Sequence, residues 1–171
     1  RLALAMVKAF GGHSSRSLIF GFMAASATLS MWISNTATTL MLLPVAMAIM
    51  DKTKDPALAT PLLLGIAYAA SVGGIGTPIG TPPNVVFMSV YNEIEGNDLS
   101  FAGWMKYGIP VVLILVPIIA FWLTRNLTFK GEVNLPAVGK WQKSEKRVLA
   151  VFLITALLWI FRLEPFGGWS E

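Results

Sequence analysis

The chain has 171 residues, of which 55% are apolar and 13% charged, and its formal net charge is +4 at pH 7. A soluble domain carries about 25% charged residues to cover its surface, so this composition excludes an ordinary water-soluble class and indicates a protein surrounded by lipid. In such a protein the excess of basic residues marks loops on the cytoplasmic side rather than a nucleic-acid partner. The sequence contains no cysteine, which excludes disulfides and thiolate metal sites.

The beginning of the chain carries no initiator methionine and no signal-peptide pattern, and the chain stops shortly after an apolar segment. We therefore interpret it as an internal part of a longer protein. Residues 1–12 are predicted to form an interfacial amphipathic helix, with Lys8 at the level of the lipid headgroups.

Four apolar blocks follow in chain order, separated by loops that hold the charged residues. They cover residues 17–50, 57–91, 104–123 and 148–161. A helix needs roughly 20 residues to cross the hydrocarbon core of a bilayer, so the third block fits a single transmembrane helix. The first two blocks are far too long for one simple span, and small and polar residues interrupt each of them near its centre.

The signs of the loop charges distinguish a re-entrant hairpin from a crossing helix in the first block. Basic residues flank this block on both sides and fill the loop after the third block, whereas the loop after the second block carries Glu93, Glu95 and Asp98. All the basic clusters lie on the cytoplasmic side only if the first block enters and leaves by the same face. The sequence therefore predicts a re-entrant hairpin over residues 15–51.

The second block must then cross, and we predict a transmembrane helix over residues 56–92 that is broken by a Gly/Pro loop at residues 71–84. Prolines in this loop remove backbone donors and oppose helix continuation, and its glycines allow backbone angles that other residues resist. Inside a bilayer such a stretch is tolerated only where it is buried in protein or lines an aqueous cavity. The break is therefore a candidate site.

The rest of the chain is predicted to be a transmembrane helix at 101–124, a basic cytoplasmic connector at 125–147 and another transmembrane helix at 148–163, which Arg162 could extend by snorkelling. The predicted fold class is all-α. It is a multi-pass, polytopic protein of the cell inner membrane with a re-entrant helical hairpin, a broken transmembrane helix and further transmembrane helices, in contact with the lipid bilayer.

The two interrupted segments contain no acidic, basic or histidine side chain at residues 17–50 or 57–92. They offer hydroxyls, the amides of Asn35 and Asn84, and backbone groups freed by the breaks. Unwound carbonyls and helix C-terminal ends attract a cation, whereas half-helix N-termini attract an anion. Such oxygens suit sodium rather than zinc or copper, and no proton relay is present in these segments. The residues indicate a neutral site that holds a cation and an anion together.

The motif Ser34-Asn35-Thr36, followed further along the chain by Gly80-Thr81-Pro82-Pro83-Asn84, resembles the divalent anion:sodium symporter family, the INDY-like di- and tricarboxylate transporters. The resemblance covers essentially the whole chain and corresponds to the N-terminal half. It implies one inverted repeat of an elevator-type transporter, with the Ser-Asn-Thr signature at the hairpin tip and hairpin and broken helix moving as one block. It also implies a homodimer for the full-length protein.

The resemblance further implies ligand roles for particular residues. The implied ligands of a first sodium ion, partly through backbone carbonyls, are Ser30, Ser34, Asn35 and Gly80. The implied substrate-binding residues are Asn35, Thr36, Thr81 and Pro82. No second Ser-Asn-Thr occurs in this sequence, so we expect the other half of the substrate site and a second sodium site to lie outside this chain.

Other hydroxyls in the apolar blocks have a simpler interpretation. Serine and threonine in membrane helices commonly bond a backbone carbonyl or join neighbouring helices. We predict this structural role for Ser26, Thr28, Thr38 and Thr39.

The predicted function is sodium-coupled secondary transport of di- or tricarboxylates of the succinate, malate and fumarate class, with sodium as the co-transported ion and no organic cofactor. One alternative is a related carrier, either for sulfate or a dicarboxylate exchanger that needs no sodium. Another is a channel or non-transporting membrane subunit in which the breaks are only structural. An enzyme is not expected and no catalytic residue is predicted, because the membrane blocks hold neither a nucleophile with a base nor a metal centre.

Overall fold

The computed structural model describes residues 14–53, 56–96, 99–127 and 142–161, and the predicted interfacial helix at 1–12 lies outside them. The regular structure within these ranges is helical, which confirms the predicted all-α class. The elements in chain order are α1 (Ser15–Ser30), α2 (Asn35–Thr53), α3 (Pro56–Gly73), a 3-10 turn (Gly74–Gly76), α4 (Pro82–Glu95), α5 (Phe101–Thr124) and α6 (Lys143–Ile160).

Local sequence signals explain where several helices begin and end. The Ser14 hydroxyl accepts a hydrogen bond from the Ser17 amide at 3.2 Å, and the Ser17 hydroxyl accepts one from the Ser14 amide at the same distance, which forms a capping box for α1. Pro82 opens α4, where a missing backbone donor has no consequence. Gly96 ends α4 with φ at 66°, the left-handed conformation that glycine adopts most readily.

α1 packs along α3, and the two helices run parallel. A Cβ built on Gly65 would lie 3.1 Å from the Met23 side chain and 3.4 Å from that of Ile19, whereas one built on Gly73 would collide with the backbone carbonyl of Ala27. The contacts thus advance toward the C-terminal end along both helices. The absence of a side chain at Gly73 lets the two backbones touch, which is typical of tightly packed membrane helices.

Hydroxyl groups bond backbone carbonyls as predicted at three of four positions, and the bond of Ser26 joins α1 to α3. The acceptors, each at 2.8 Å, are the carbonyls of Ile66 for Ser26, Ala24 for Thr28 and Asn35 for Thr39. Thr38 differs from the prediction, because its hydroxyl is fully buried and has no hydrogen-bond partner. The side chain follows the buried face of α2 rather than turning back to a carbonyl of its own helix.

α5 runs antiparallel to α1 and contacts the start of that helix at one end and the segment that follows α3 at the other. At its C-terminal end, the Arg125 carbonyl accepts a hydrogen bond from the Arg16 guanidinium at 3.4 Å. Near its N-terminal end, Trp104 Nε1 donates to the Ile75 carbonyl at 2.7 Å, and a Cβ on Gly108 would lie only 2.5 Å from that same oxygen. The segment between α3 and α4 therefore rests on the first two turns of α5.

The buried core lies between α1, α2 and α3, with a contribution from α5. Its large, fully buried apolar side chains are Leu18, Ile19, Phe22, Met23, Leu42, Ile49, Leu58, Leu62 and Ile66. In contrast, α4 buries only Asn84 and α6 only Ala156. Their exposed faces are rich in large apolar side chains, a distribution that lipid or neighbouring membrane helices accommodate.

By length and composition, two helical stretches in the described ranges are long and apolar enough to cross a membrane: Pro56–Gly76 and Phe101–Thr124. α5 occupies the residues predicted for a transmembrane helix at 101–124. α6 begins at Lys143, inside the segment predicted as a connector, because Glu145 accepts a hydrogen bond from the Gln142 amide at 2.9 Å and caps the helix there. The re-entrant hairpin, the crossing of 56–92 and the span at 148–163 stay predictions.

Candidate functional site

Two interruptions of the helical backbone lie against each other in the structure. The first is the four-residue connection between α1 and α2, and the second is the segment Gly74–Thr81 between α3 and α4, which we call the break. The buried Thr77 hydroxyl donates to the Met31 carbonyl and so links the break to the end of α1. The C-terminal ends of α1 and α3 and the N-terminal ends of α2 and α4 consequently meet in one region.

Ser30 and Asn35 form the closest pair of predicted site residues. Ser30, buried in the last turn of α1, donates its hydroxyl to Asn35 Oδ1 at 2.6 Å. Asn35 opens α2 and its Oδ1 also lies against the break, because a Cβ built on Gly74 would approach that oxygen to 2.7 Å. The pair therefore presents two polar oxygens beside unwound backbone, in a region without formal charge.

Gly80 approaches the same part of the break from its other end. A Cβ on Gly80 would collide with the carbonyl oxygen of Gly74, so only a glycine fits this backbone-to-backbone approach. The Gly80 amide donates to the Thr77 carbonyl at 3.3 Å, which closes the intervening residues into a turn. Gly74 is thus approached both by Gly80 and by Asn35, which bonds Ser30, and these three residues are predicted sodium ligands.

Ser34, the fourth predicted sodium ligand, is exposed on the connection between α1 and α2. Its hydroxyl accepts a hydrogen bond from the Ala37 amide at 3.3 Å and so caps the first turn of α2. This contact engages one lone pair of the Ser34 hydroxyl. The main-chain carbonyl of Ser34 accepts a second hydrogen bond, from the Thr38 amide at 3.0 Å. Ser34 therefore stabilises the helix start as the structure stands.

The other predicted substrate residues lie at the N-terminal ends of α2 and α4. Thr36 is exposed in the first turn of α2, beside Asn35. Thr81 is the half-buried residue before α4 in extended conformation, with φ −150° and ψ 142°, and its carbonyl accepts the Asn84 amide at 3.1 Å. Pro82 is the exposed first residue of α4. These residues surround the two helix starts that face the break.

The electrostatics of this arrangement come from backbone dipoles. A helix carries roughly half a positive elementary charge at its N-terminus and half a negative one at its C-terminus. The ends of α1 and α3 therefore favour a cation near Ser30 and the break, whereas the starts of α2 and α4 favour an anion near Thr36 and Thr81. The arrangement can hold both charges side by side.

Three residues outside the predicted ligand sets shape the break. Asn84 Nδ2 donates to the carbonyls of Gly74 and Thr77, both at 2.8 Å, and Trp104 Nε1 donates to Ile75. From the sequence, Thr77 is one residue of the Gly/Pro loop, Trp104 a flanking aromatic at a helix end and Asn84 an available amide, and none of them has a predicted ligand role. The sequence signal for Asn84 was a single amide side chain at an otherwise apolar helix start. No local sequence pattern predicts the pairing of Thr77 with Met31 or of Trp104 with Ile75.

Known proteins resemble this chain along its whole length. Residues 1–169 match the citrate transporter family. Sodium-dependent dicarboxylate transporters SdcS from Staphylococcus saprophyticus and Staphylococcus aureus are each 35% identical over 193 residues, which cover 99% of this chain and 37% of the relative. The chain thus spans little more than a third of the length of these curated relatives. It is part of a membrane protein of a transporter family rather than an enzyme family. The symporter resemblance that its motifs indicated is confirmed, and the chain belongs to the citrate transporter family.

Proposed function

We propose that this chain supplies half of the transport site of a sodium-coupled secondary carrier for di- or tricarboxylates of the succinate class. The observation that carries the proposal is the contact of Ser30 Oγ with Asn35 Oδ1 at 2.6 Å, beside Gly74 of the break. These oxygens are uncharged. Ser30 lies in the last turn of α1, and Asn35 Oδ1, although its residue opens α2, lies against Gly74 just after α3, so both are beside helix carbonyl ends that suit a monovalent hard cation. The printed names of the two staphylococcal relatives, sodium-dependent dicarboxylate transporters, support the same ion and cargo.

Sodium binding would replace a hydrogen bond by coordination. The Ser30 hydroxyl donates its proton to Asn35 Oδ1, so a cation between the two requires that the hydroxyl rotate and turn a lone pair to the ion. Gly80 would add a backbone carbonyl from the facing side, and Ser34 would add an oxygen from the connection. Because these groups come from α1, α2 and the break, the ion would fix the relative positions of all three.

The substrate carboxylate would bind at the N-terminal ends of α2 and α4. The Asn35 amide and the Thr36 hydroxyl are donors at the start of α2, and Thr81 and Pro82 line the facing start of α4. The helix dipoles favour a carboxylate there, and a sodium ion next to it offsets part of the cost of bringing a dianion into the membrane. Sodium would therefore bind first and complete the anion site.

The rest of the carrier would complete the second half of the site. We propose a multi-pass protein of the cell inner membrane that works as a homodimer and binds a second sodium ion in its other repeat. The backbone of Gly73 touches that of Ala27, and Thr77 bonds Met31. These contacts support the proposal that the hairpin and the broken helix move as one block. Lipid would contact the exposed apolar faces of α4 and α5.

Uptake of labelled succinate into proteoliposomes that contain the full-length protein tests the proposal. An inward sodium gradient should drive saturable uptake that excess unlabelled dicarboxylate blocks, and replacement of sodium by potassium should abolish it. Equal uptake in both salts would instead identify a sodium-independent exchanger. Sulfate that competes where dicarboxylates do not would identify a different cargo, and ohmic conductance would identify a channel.

A further inference from the structure

We infer that Asn84 is a positioning residue that holds the break in the shape that binds sodium, without itself contacting the ion. The inference rests on the proposed function, and it concerns a residue to which the sequence and the resemblance assign no ligand role. Asn84 is the one residue of α4 that is buried, with 7% of its surface exposed, and its side chain points into the break rather than to the surroundings of the helix.

The chemistry of the contacts fixes the orientation of the Asn84 amide. Its terminal nitrogen lies 2.8 Å from the Gly74 carbonyl oxygen and 2.8 Å from the Thr77 carbonyl oxygen. Both neighbours are acceptors, so the side chain must present the NH₂ group with its two hydrogens, and the flipped amide would set three oxygens against one another. Asn84 thus uses its full donor capacity on two carbonyls of the break.

These two carbonyls are also the ones that Gly80 contacts. The Gly80 amide donates to the Thr77 carbonyl at 3.3 Å, and a Cβ on Gly80 would collide with the Gly74 carbonyl. The side chain of Asn84 therefore holds both ends of the turn that presents Gly80 to the site. The same contact positions Thr77, whose hydroxyl reaches the Met31 carbonyl at the end of α1.

The Asn84 group that contacts the break is an NH₂ donor with a partial positive charge, so this group does not coordinate a cation. The effect on sodium must therefore pass through the backbone of residues 74–80. Beyond the 3-10 turn at Gly74–Gly76, the break has no regular helical hydrogen bonds to hold its carbonyls, so the side-chain contacts of Asn84 help to set their direction. Without the two hydrogen bonds from Asn84, part of the free energy of sodium binding would be used to order the break, and the sodium affinity would fall.

The substitution Asn84→Asp in the full-length protein tests this inference, because it keeps the size of the side chain and replaces the donor by an oxygen facing two carbonyls. We expect the sodium concentration for half-maximal uptake at saturating succinate to rise about tenfold or more. The succinate KM at saturating sodium should stay within about twofold, because saturating ion restores the loop. Asn84→Ala, which removes the donors without adding an oxygen, should shift sodium dependence in the same direction.

Asn92→Asp provides a matched control on the same helix. Asn92 accepts a hydrogen bond from the Leu99 amide through its Oδ1 at 2.8 Å, a contact that a carboxylate retains, so this variant should keep the sodium dependence of the wild type. Sodium-dependent thermal stabilisation of the purified protein gives a second readout that does not require transport.

The outcomes separate this inference from the proposed function. A wild-type protein without any sodium response would refute the proposed function and the inference with it. A sodium-dependent wild type whose Asn84 variants keep the same half-saturation would overturn the inference alone. The same conclusion would follow if Asn84→Ala lowered the melting temperature equally with and without sodium while half-saturation stayed constant, because that is the signature of a purely structural residue. If Asn84→Asp does not fold, the sodium half-saturation of Asn84→Ala is the deciding measurement.

Discussion

The hydroxyl of Thr77 donates a hydrogen bond to the main-chain carbonyl of Met31, and this contact joins the break to the end of α1. The donor is fully buried, and its acceptor is one of the carbonyls that a helix leaves unpaired at its C-terminal end. One side chain thereby satisfies an orphan carbonyl and fixes the position of one interruption against the other.

Thr77→Val should destabilise the full-length protein, because it removes the donor from the part-buried Met31 carbonyl. The expected cost is about 1 to 3 kcal/mol, visible as a lower apparent melting temperature in detergent. Thr77→Ser keeps the hydroxyl and should lie much closer to the wild type. Equal melting temperatures for the valine variant and the wild type would show that this hydrogen bond contributes nothing.

Gly80→Ala should impair sodium-dependent uptake strongly, since the new methyl group would collide with the Gly74 carbonyl and force the backbone apart. Overpacking against backbone costs about 1 to 3 kcal/mol, and a loss of this size in sodium binding corresponds to about 5- to 150-fold in affinity. Gly65→Ala is the control, because its methyl group would meet the flexible end of Met23 at 3.1 Å, which can move. Uptake by both variants at wild-type sodium affinity would contradict the placement of Gly80 in the site.

Thr38→Val should leave stability unchanged or raise it, because the Thr38 hydroxyl is buried without a partner and valine has nearly the same shape. An unpaired buried hydroxyl costs about 1 to 3 kcal/mol. Thr39→Val removes a hydroxyl that bonds the Asn35 carbonyl at 2.8 Å and should be mildly destabilising. Melting temperatures of the two variants compare them directly. A marked loss of stability in Thr38→Val would show that the complete protein provides a partner for this group.

Asn35→Ala and Thr36→Ala should have different effects on sodium binding and on substrate binding. Asn35→Ala removes the oxygen that contacts Ser30, so sodium affinity and uptake should fall together by about tenfold or more while the protein still folds. Thr36→Ala removes a hydroxyl at the start of α2 and should raise the succinate KM by about three- to tenfold with little change in sodium half-saturation. Titration of uptake against each solute measures both constants, and the reverse order of effects would contradict the assigned roles.

The amino-acid sequence by itself determined the class of the protein and the two segments that matter. A shortage of charge and long apolar blocks indicate lipid as the solvent, and the polar, Gly- and Pro-rich interruptions near residues 34 and 80 mark where the helical backbone breaks. These are local properties, because composition and the breaking of a helix depend on residues that are neighbours in the chain. The motif resemblance rests on the same local residues.

Only the tertiary structure decided which groups meet. The pairing of Thr77 with Met31, of Trp104 with Ile75 and of Asn84 with Gly74 depends on how α1, α3 and α5 pack. The sequence treats Thr38 and Thr39 as equivalent neighbours, yet packing leaves one hydroxyl bonded and the other buried alone. Such contacts link residues far apart in the chain or depend on which helix face is buried, and no local pattern carries that information because helix packing sets it.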